Sequence, residues 1–132
     1  GAVLTSAGMM LAIPDKAQAE TAEFYFNRAY DKGEEGNYYG AIFDYTKAIE
    51  INPRYANAYN NRGNAKRNLE DYYGAIFDYT KAIEIKPKDA EAYYNRGNAK
   101  NNLGDLQGAC SDWREASSLG DQDAAQWVRN QC

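Results

Sequence analysis

The sequence predicts an all-α fold, a solenoid in which antiparallel helix pairs stack on one another. The stretch YYGAIFDYTKAIEI occurs twice without a change, at Tyr38–Ile51 and at Tyr72–Ile85, with an offset of 34 residues. In the second copy Tyr72, Ile76 and Tyr79 are spaced three to four residues apart, which is typical of one helix face. A period of about 34 residues indicates stacked helical repeats.

Alignment at this period gives three rows, 22–55, 56–89 and 90–123, and each row divides into two helical segments. A helix of about 14 residues is about 21 Å long and only marginally stable alone in water. The helices must therefore stack, and about three repeats are the minimum for a stable solenoid. Aligned positions include Tyr25, Tyr59 and Tyr93; Ala41, Ala75 and Ala109; and Ala48, Ala82 and Ala116.

Polar residues mark the start of each second helix. Asn37, Asp71 and Asp105 each precede an apolar or aromatic residue. Asn and Asp are good N-caps because their side chains accept a hydrogen bond from an unpaired backbone N–H. The duplicated stretch is therefore the second helix of rows one and two, and we attribute its identity to packing, since the same contacts recur in each row.

The composition excludes several classes of function. The chain has 132 residues, a formal net charge of −4 and no histidine, so neither a Ser–His–Asp centre nor a histidine metal site is possible. Two cysteines alone do not make a zinc site. A groove that follows phosphates needs a basic face, which argues against nucleic acid. We expect no enzymatic activity, no cofactor and no metal, because the carboxylates near helix ends are explained by capping and solvation.

Residues 1–19 differ from the rest of the chain. Val3–Ile13 is apolar and uncharged, and Pro14 and Ala17-Gln18-Ala19 follow it. This pattern resembles the back half of a secretory signal peptide and predicts an exported protein (periplasmic, lumenal or secreted) that starts at Glu20. The alternative is an apolar arm that packs on the domain of a cytoplasmic protein. The run is too short to span a bilayer, so we expect no membrane role for the mature form.

The repeat is similar to that of the tetratricopeptide repeat family. The resemblance covers residues 22–123, and row two matches every family position that we compared. The acidic balance argues against the pentatricopeptide RNA binders, whose repeat is of similar length. The resemblance implies a right-handed superhelix and a non-catalytic protein-interaction module. The matches in row two are Tyr59, Gly63, Ala75, Tyr79, Ala82 and Pro87; row one has Ala29 at the glycine position, and row three has Asp121 at the proline position.

The family resemblance also implies a concave groove lined by the first helix of each repeat. Ten of the predicted groove residues are asparagines, although asparagine disfavours helices. An Asn amide offers two donors and an acceptor, so the row suits the backbone of an extended peptide. The alternative is a solvated polar face. The predicted groove residues are Phe26, Asn27, Tyr30, Asn57, Asn60, Asn61, Asn64, Arg67, Asn68, Tyr94, Asn95, Asn98, Asn101 and Asn102.

Some members of this family bind the C-terminal carboxylate of heat-shock chaperones with a clamp of lysine, asparagine and arginine. Counted from row one, the clamp positions hold Phe26, Tyr30, Asn61, Glu91 and Asn95, of which only Asn61 fits. Counted from row two, Asn64, Asn95 and Arg129 fit, but Asn60 and Ala125 stand where lysines are needed. The sequence therefore predicts that this protein is not a carboxylate-clamp adaptor.

Arginine and aspartate recur at facing positions of the two helices of each row. We predict a partly buried Arg–Asp pair in each repeat that fixes the helix register, and the alternative is independent surface ions. An unpaired member of such a buried pair costs about 3 kcal/mol. The predicted pairs are Arg28 with Asp44, Arg62 with Asp78, and Arg96 with Asp112.

The C-terminal segment 121–132 is expected to be a capping helix that starts at Asp121 or Asp123 and covers the last repeat. Cys110 and Cys132 lie at similar distances from the turn before this helix. An antiparallel helix pair would bring them to the same height, so we predict a disulfide, which fits an exported protein. The alternative is a buried Cys110 and a free C-terminal thiol.

Two functions remain open from the sequence. The first is a non-catalytic scaffold that holds a segment of a partner protein in the groove through asparagine hydrogen bonds and aromatic contacts. The second is a self-assembling structural protein, whose apolar residues 2–13 dock in its own groove or in that of a neighbouring copy.

Overall fold

The structure, a computed structural model, describes residues 21–132, and every regular element in that range is a helix. The interpretations of residues 1–19 as a signal peptide or an apolar arm lie outside this range. Among the described residues no helix has the length and apolar character needed to cross a membrane. The helices are α1 (Ala22–Glu34), α2 (Tyr38–Ile51), α3 (Ala56–Asn68), α4 (Tyr72–Ile85), α5 (Ala90–Asn102), α6 (Leu106–Ser118) and α7 (Gln122–Gln131).

The helices form three antiparallel pairs that stack in chain order. Helix α1 packs on α2, α3 on α4 and α5 on α6, and α2 and α4 also pack on the first helix of the following pair. The first helices touch one another as well, α1 with α3 and α3 with α5, so they share one side of the stack. The predicted all-α solenoid is confirmed, with α7 packed on α6 as the capping helix.

Small residues allow each first helix to lie close to its partner. A Cβ atom on Gly63 would come within 2.8 Å of the Tyr79 ring, and one on Gly97 within 2.7 Å of the Trp113 ring. Both rings are buried, so the glycines leave the space that the rings fill. Row one has Ala29, also buried, at the same position.

The N-caps lie at the positions that the sequence predicts. In each second helix the cap side chain accepts a hydrogen bond of 2.9–3.0 Å from the backbone N–H of a glycine three residues later. A Cβ atom on that glycine would come within 2.2–2.5 Å of the cap, which explains why glycine recurs there. The pairs are Asn37 with Gly40, Asp71 with Gly74, and Asp105 with Gly108.

The capping helix begins at an aspartate N-cap and is held to the third repeat by an aromatic stack and a disulfide. Asp121, rather than Asp123, is its N-cap and accepts a hydrogen bond of 2.8 Å from Ala124 N. The Trp127 ring stacks on Trp113 with 5.3 Å between ring centroids. A disulfide joins Cys110 to Cys132, with 5.8 Å between their Cα atoms.

Packing explains only one face of the duplicated helices α2 and α4. Ala41, Asp44 and Tyr45 are buried, as are their counterparts in α4. Tyr39 and Phe43 are exposed, although they too recur unchanged one repeat later. The identity of the exposed positions therefore needs another explanation.

Candidate functional site

A pocket of about 120 Å³ opens where the first two repeats meet. Two tyrosines of different exposure line the pocket: Tyr30 of α1 is exposed, and Tyr45 of α2 is buried. Glu34 is the one charged side chain among the described residues that line it. The lining residues are Tyr30, Gly33 and Glu34 of α1, Tyr38 and Tyr45 of α2, and Asn61, Asn64, Ala65 and Asn68 of α3.

The pocket is a neutral-to-acidic environment rich in hydrogen-bonding groups. The pKa of the Tyr45 hydroxyl is raised to about 12, chiefly by burial, with smaller contributions from nearby Tyr30 and Glu34 and an opposing one from a hydrogen bond with Asn61. Tyr45 therefore stays protonated at physiological pH. The pocket combines phenol hydroxyls, amides and one carboxylate, a set that suits a ligand group with several N–H donors.

Two of the predicted groove asparagines also tie the helices of their own repeat together. Asn64 Oδ1 accepts a hydrogen bond of 2.6 Å from the Tyr79 hydroxyl. One repeat later Asn98 Oδ1 accepts one of 3.0 Å from the indole N–H of Trp113. Because Tyr79 and Trp113 are buried, each amide satisfies a polar group that would otherwise be unpaired in the core.

Two further asparagines are buried between the second and third repeats. Asn95 Oδ1 accepts a hydrogen bond of 3.3 Å from Arg67, and Asn60 Nδ2 donates a long one of 3.5 Å to Glu91. Within residues 21–132 the Asn60 Oδ1 atom has no hydrogen-bond partner. A buried acceptor without a partner is unfavourable, and its burial also keeps a ligand from reaching it.

The structure brings only part of the predicted groove together in one pocket. Tyr30, Asn61, Asn64 and Asn68 line it, whereas Asn27, Asn57, Asn101 and Asn102 are exposed outside it. Phe26 instead stacks on Tyr55, with 4.9 Å between centroids, and meets the edge of Tyr45. Tyr94 packs against the buried cluster of the third repeat.

The sequence does not predict Tyr38 and Tyr45 as pocket residues, because they belong to second helices. Their positions in the duplicated stretch indicate packing, and nothing in the sequence distinguishes the pocket wall from the core. The family resemblance predicts groove residues on first helices alone, so no sequence signal places these two side chains in the pocket.

Each arginine of the repeated pairs donates two hydrogen bonds to the aspartate of its own repeat. In the second repeat Arg62 Nε and Nη2 lie 2.9 and 2.7 Å from the two Asp78 oxygens, and Lys66 Nζ lies 3.0 Å from the same carboxylate. Arg62 Nη1 also donates to Thr46 of the preceding repeat, at 3.1 Å. In the third repeat Arg96 and Lys100 contact Asp112 in the same way, and Arg96 Nη1 donates to Thr80 of the second repeat, at 3.2 Å.

The first pair is the most exposed of the three. The Arg28 side chain is 44% exposed, against 12% for Arg62 and 18% for Arg96, while Asp44 is fully buried. Burial alone would raise the pKa of Asp44, but hydrogen bonds from Arg28 and Lys32 outweigh it, and the pKa lies below its ordinary value. These ion pairs lie between the two helices of each repeat, so we assign them a structural role.

Residues 21–132 contain no cluster of three or more His, Cys, Asp or Glu side chains placed to hold a metal ion.

Three solved structures share this fold. The first TPR of Spaghetti (RPAP3), bound to the HSP90 peptide SRMEEVD, is 25% identical and has a TM-score of 0.79, with 84% of this chain and 90% of that chain covered. The TPR domain of Arabidopsis OM64 is 28% identical, with a TM-score of 0.79 and coverage of 83% and 93%. The first TPR domain of human RPAP3 is 25% identical, with a TM-score of 0.77 and coverage of 82% and 87%.

A search among curated proteins found no significant match. Two family models, by contrast, match the sequence. A family model described as "TPR repeat" matches residues 34–69 and 63–104, and a second, described as "Tetratricopeptide repeat", matches residues 90–119. Together with the stacked helix pairs, these matches establish that the chain belongs to the tetratricopeptide repeat family.

Proposed function

We propose that this protein is a non-catalytic interaction scaffold that holds an extended segment of a partner protein along its first helices. The observation that supports this most directly is the pocket between the first two repeats, where α1, α2 and α3 meet. Its size, about 120 Å³, suits one side chain of a peptide rather than a cofactor. The first TPR of Spaghetti, which has the same fold, was solved with a peptide bound.

We propose further that the side chain entering the pocket is basic. Glu34 supplies a carboxylate, and Asn68 has a side-chain oxygen that can accept, while its amide nitrogen donates to Asn64 O at 3.0 Å. A lysine or arginine brings several donors and a positive charge to this set. A carboxylate would meet Glu34 with like charge, so an acidic peptide is disfavoured.

A direct test is titration with the labelled peptide SRMEEVD, the ligand of the Spaghetti domain. Neither register of the family's clamp has its lysines: Phe26 and Glu91 stand at these positions counted from row one, and Asn60 and Ala125 counted from row two. We therefore expect no saturation below about 1 mM, which is about 4 kcal/mol of binding free energy. Fluorescence anisotropy measures this. A dissociation constant in the micromolar range would overturn the exclusion of a carboxylate clamp.

The groove itself is tested with a peptide selected from a random library against the whole chain. Glu34→Gln removes the charge and is expected to weaken binding about tenfold or more, since a hydrogen bond to a charged group contributes about 1.5–3 kcal/mol. Asn68→Ala removes a neutral hydrogen bond and is expected to weaken binding about fivefold.

The matched control is Asn102→Ala, which changes the same residue type at the equivalent position one repeat later, outside the pocket. Isothermal titration calorimetry of the three variants with the selected peptide separates the outcomes. Equal affinities for Glu34→Gln, Asn68→Ala and Asn102→Ala would show that the peptide binds elsewhere.

A further inference from the structure

The outer side of the second helices carries two identical stripes of exposed side chains. In α2 the stripe runs Tyr39, Phe43, Lys47 and Glu50, at spacings of three and four residues, on the face opposite the buried alanines. Tyr39 is 77% exposed and Phe43 59% within the described part of the chain. In α4 the stripe is Tyr73, Phe77, Lys81 and Glu84, with the two aromatic rings 77% and 56% exposed.

Each stripe has the same internal geometry. Lys47 Nζ lies 5.6 Å from the centroid of the Phe43 ring and 3.5 Å from a Glu50 oxygen. In α4 the corresponding distances of Lys81 are 5.6 and 3.4 Å. The order aromatic, aromatic, cation, anion is therefore repeated on neighbouring second helices in the same direction.

The third repeat does not continue the stripe. The equivalent positions in α6 are Gln107, Ser111 and Glu115, all exposed and none aromatic. The buried positions of α6 are retained, including Asp112 and Ala116. Identity between the first two repeats thus extends to solvent-exposed residues, and it ends in the third repeat where packing does not require it.

The exposed aromatic side chains supply more than half of the area that a stable interface buries on each partner. An aromatic side chain presents about 150–250 Å² when fully exposed, so the four rings at these exposures offer roughly 500 Å². A typical stable interface buries about 800 Å² on each partner, and the stems of the lysines and glutamates supply most of the rest. A patch of this size is at the upper end for a monomer.

We propose that a second copy of this chain docks on this face, antiparallel to the first, about a twofold axis that lies in the interface and runs perpendicular to α2 and α4. Helix α2 of one copy then meets α2 of the other, and α4 meets α4. In such an isologous interface each stripe faces its own reversed counterpart, so each stripe must be complementary to itself. Because the two stripes are identical, one register satisfies both helix pairs at once.

The charges of the face are self-complementary. Two lysines and two glutamates leave it neutral, which favours an identical face over a partner of one charge sign. In an antiparallel register centred between Phe43 and Lys47, the lysine of one copy lies over the phenylalanine ring of the other. Glu50 then lies beside the partner's tyrosine hydroxyl. Lysine over an aromatic ring is favourable, more so when water is excluded.

Sedimentation velocity of the full chain tests the proposal, over concentrations from about 1 to about 100 μM, the range of weak to moderate association. We expect a monomer that converts to a dimer as concentration rises. A protein that stays monomeric to the top of this range overturns the proposal.

The decisive variant copies the third repeat into the first two: Tyr39→Gln, Phe43→Ser, Tyr73→Gln and Phe77→Ser. The chain already carries Gln107 and Ser111 at these positions of α6, so the helices should tolerate them. We expect a monomer at all concentrations, with unchanged helical circular dichroism. A folded variant that still dimerises, through residues 2–13 or another surface, overturns the proposal.

A set of three double variants keeps the test valid should the first variant lose helicity. The variant Lys47→Gln with Lys81→Gln removes the cations and is expected to raise the dimer dissociation constant about tenfold. The variant Lys47→Arg with Lys81→Arg retains the cations and should dimerise normally. Lys86→Gln with Lys88→Gln, exposed lysines outside the stripes, is the control. Equal dissociation constants for all three would contradict the proposed contacts. The groove variant Asn68→Ala should dimerise normally, whatever its affinity for peptide.

Discussion

At the scale of single residues, the buried carboxylates account for the charged residues that recur in each repeat. Asp78 is fully buried and receives Arg62 and Lys66 together, so its charge is compensated where water is excluded. The Arg–Asp pairing could be predicted because both residues recur at the repeat period on facing helices. The lysine contact could not, since a lysine four residues after an arginine on the same helix is ordinarily a surface residue.

The pH dependence of stability should reflect Asp44. Its pKa is lowered in the folded protein, as burial is outweighed by hydrogen bonds from Arg28 and Lys32. The stabilisation is therefore complete above the unfolded-state pKa of about 3.9 and is lost as the pH falls through the lower folded-state pKa. At pH 7 Asp44→Asn should cost about 1–2 kcal/mol of unfolding free energy.

Thermal unfolding of both proteins between pH 7 and pH 2.5 checks this. The difference in Tm between wild type and Asp44→Asn should be constant down to about pH 4 and narrow below it. A difference that stays constant to the lowest pH would mean that the Asp44 charge does not contribute to stability.

At the scale of helices, the sequence predicts most of what is observed. The caps at Asn37, Asp71 and Asp105 and the repeat period place the starts of the second helices correctly. The sequence does not distinguish the two roles of asparagine. Asn64 and Asn98 each accept a hydrogen bond from a buried aromatic side chain of their own repeat, whereas Asn68 is exposed on the surface. All three lie on first helices, and only the packing distinguishes them.

Close packing of helix pairs predicts opposite effects for two glycine-to-alanine changes. Gly97→Ala should lower the unfolding free energy by about 1–2 kcal/mol, because the new methyl group would lie 2.7 Å from Trp113 and 3.2 Å from the Ala109 carbonyl oxygen, and overpacking is costly. Gly33→Ala meets only an ordinary contact of 3.9 Å with Ala41. Its gain in helix propensity should stabilise the protein by up to about 1 kcal/mol.

Urea unfolding followed by circular dichroism measures both changes under the same conditions. Because the two variants make the same substitution inside first helices, their difference isolates the packing against the second helix. Two variants that change stability in the same direction would contradict the packing argument.

At the scale of the whole molecule, the C-terminal end is held by the capping helix. The disulfide between Cys110 and Cys132 closes a loop with a sequence separation of 22 residues. The similar distances of the two cysteines from the turn are enough to predict this proximity. The stacking of Trp127 on Trp113 was not predictable in the same way, since it depends on how α7 is rotated about its axis.

Reduction of this disulfide should destabilise the protein by about 3 kcal/mol on the chain-entropy model. The loss should appear first at α7, because each repeat in a solenoid is stabilised by its neighbours and the cap has only one. Denaturant titration followed by tryptophan fluorescence, with and without reductant, measures both effects. The variant Cys110→Ser with Cys132→Ser should match the reduced protein, and insensitivity to reductant would contradict the prediction.

The hydrogen bonds from Arg62 to Thr46 and from Arg96 to Thr80 have a mechanical consequence. Each arginine is fixed to its own repeat by a carboxylate and to the preceding repeat by a hydroxyl, so the angle between neighbouring repeats is restrained by bonds of about 3.1–3.2 Å. The angle between neighbouring repeats is thus set by the protein's own cross-links. In the scaffold function proposed above, a flexible partner would have to conform to this fixed surface and would bear most of the loss of conformational entropy on binding.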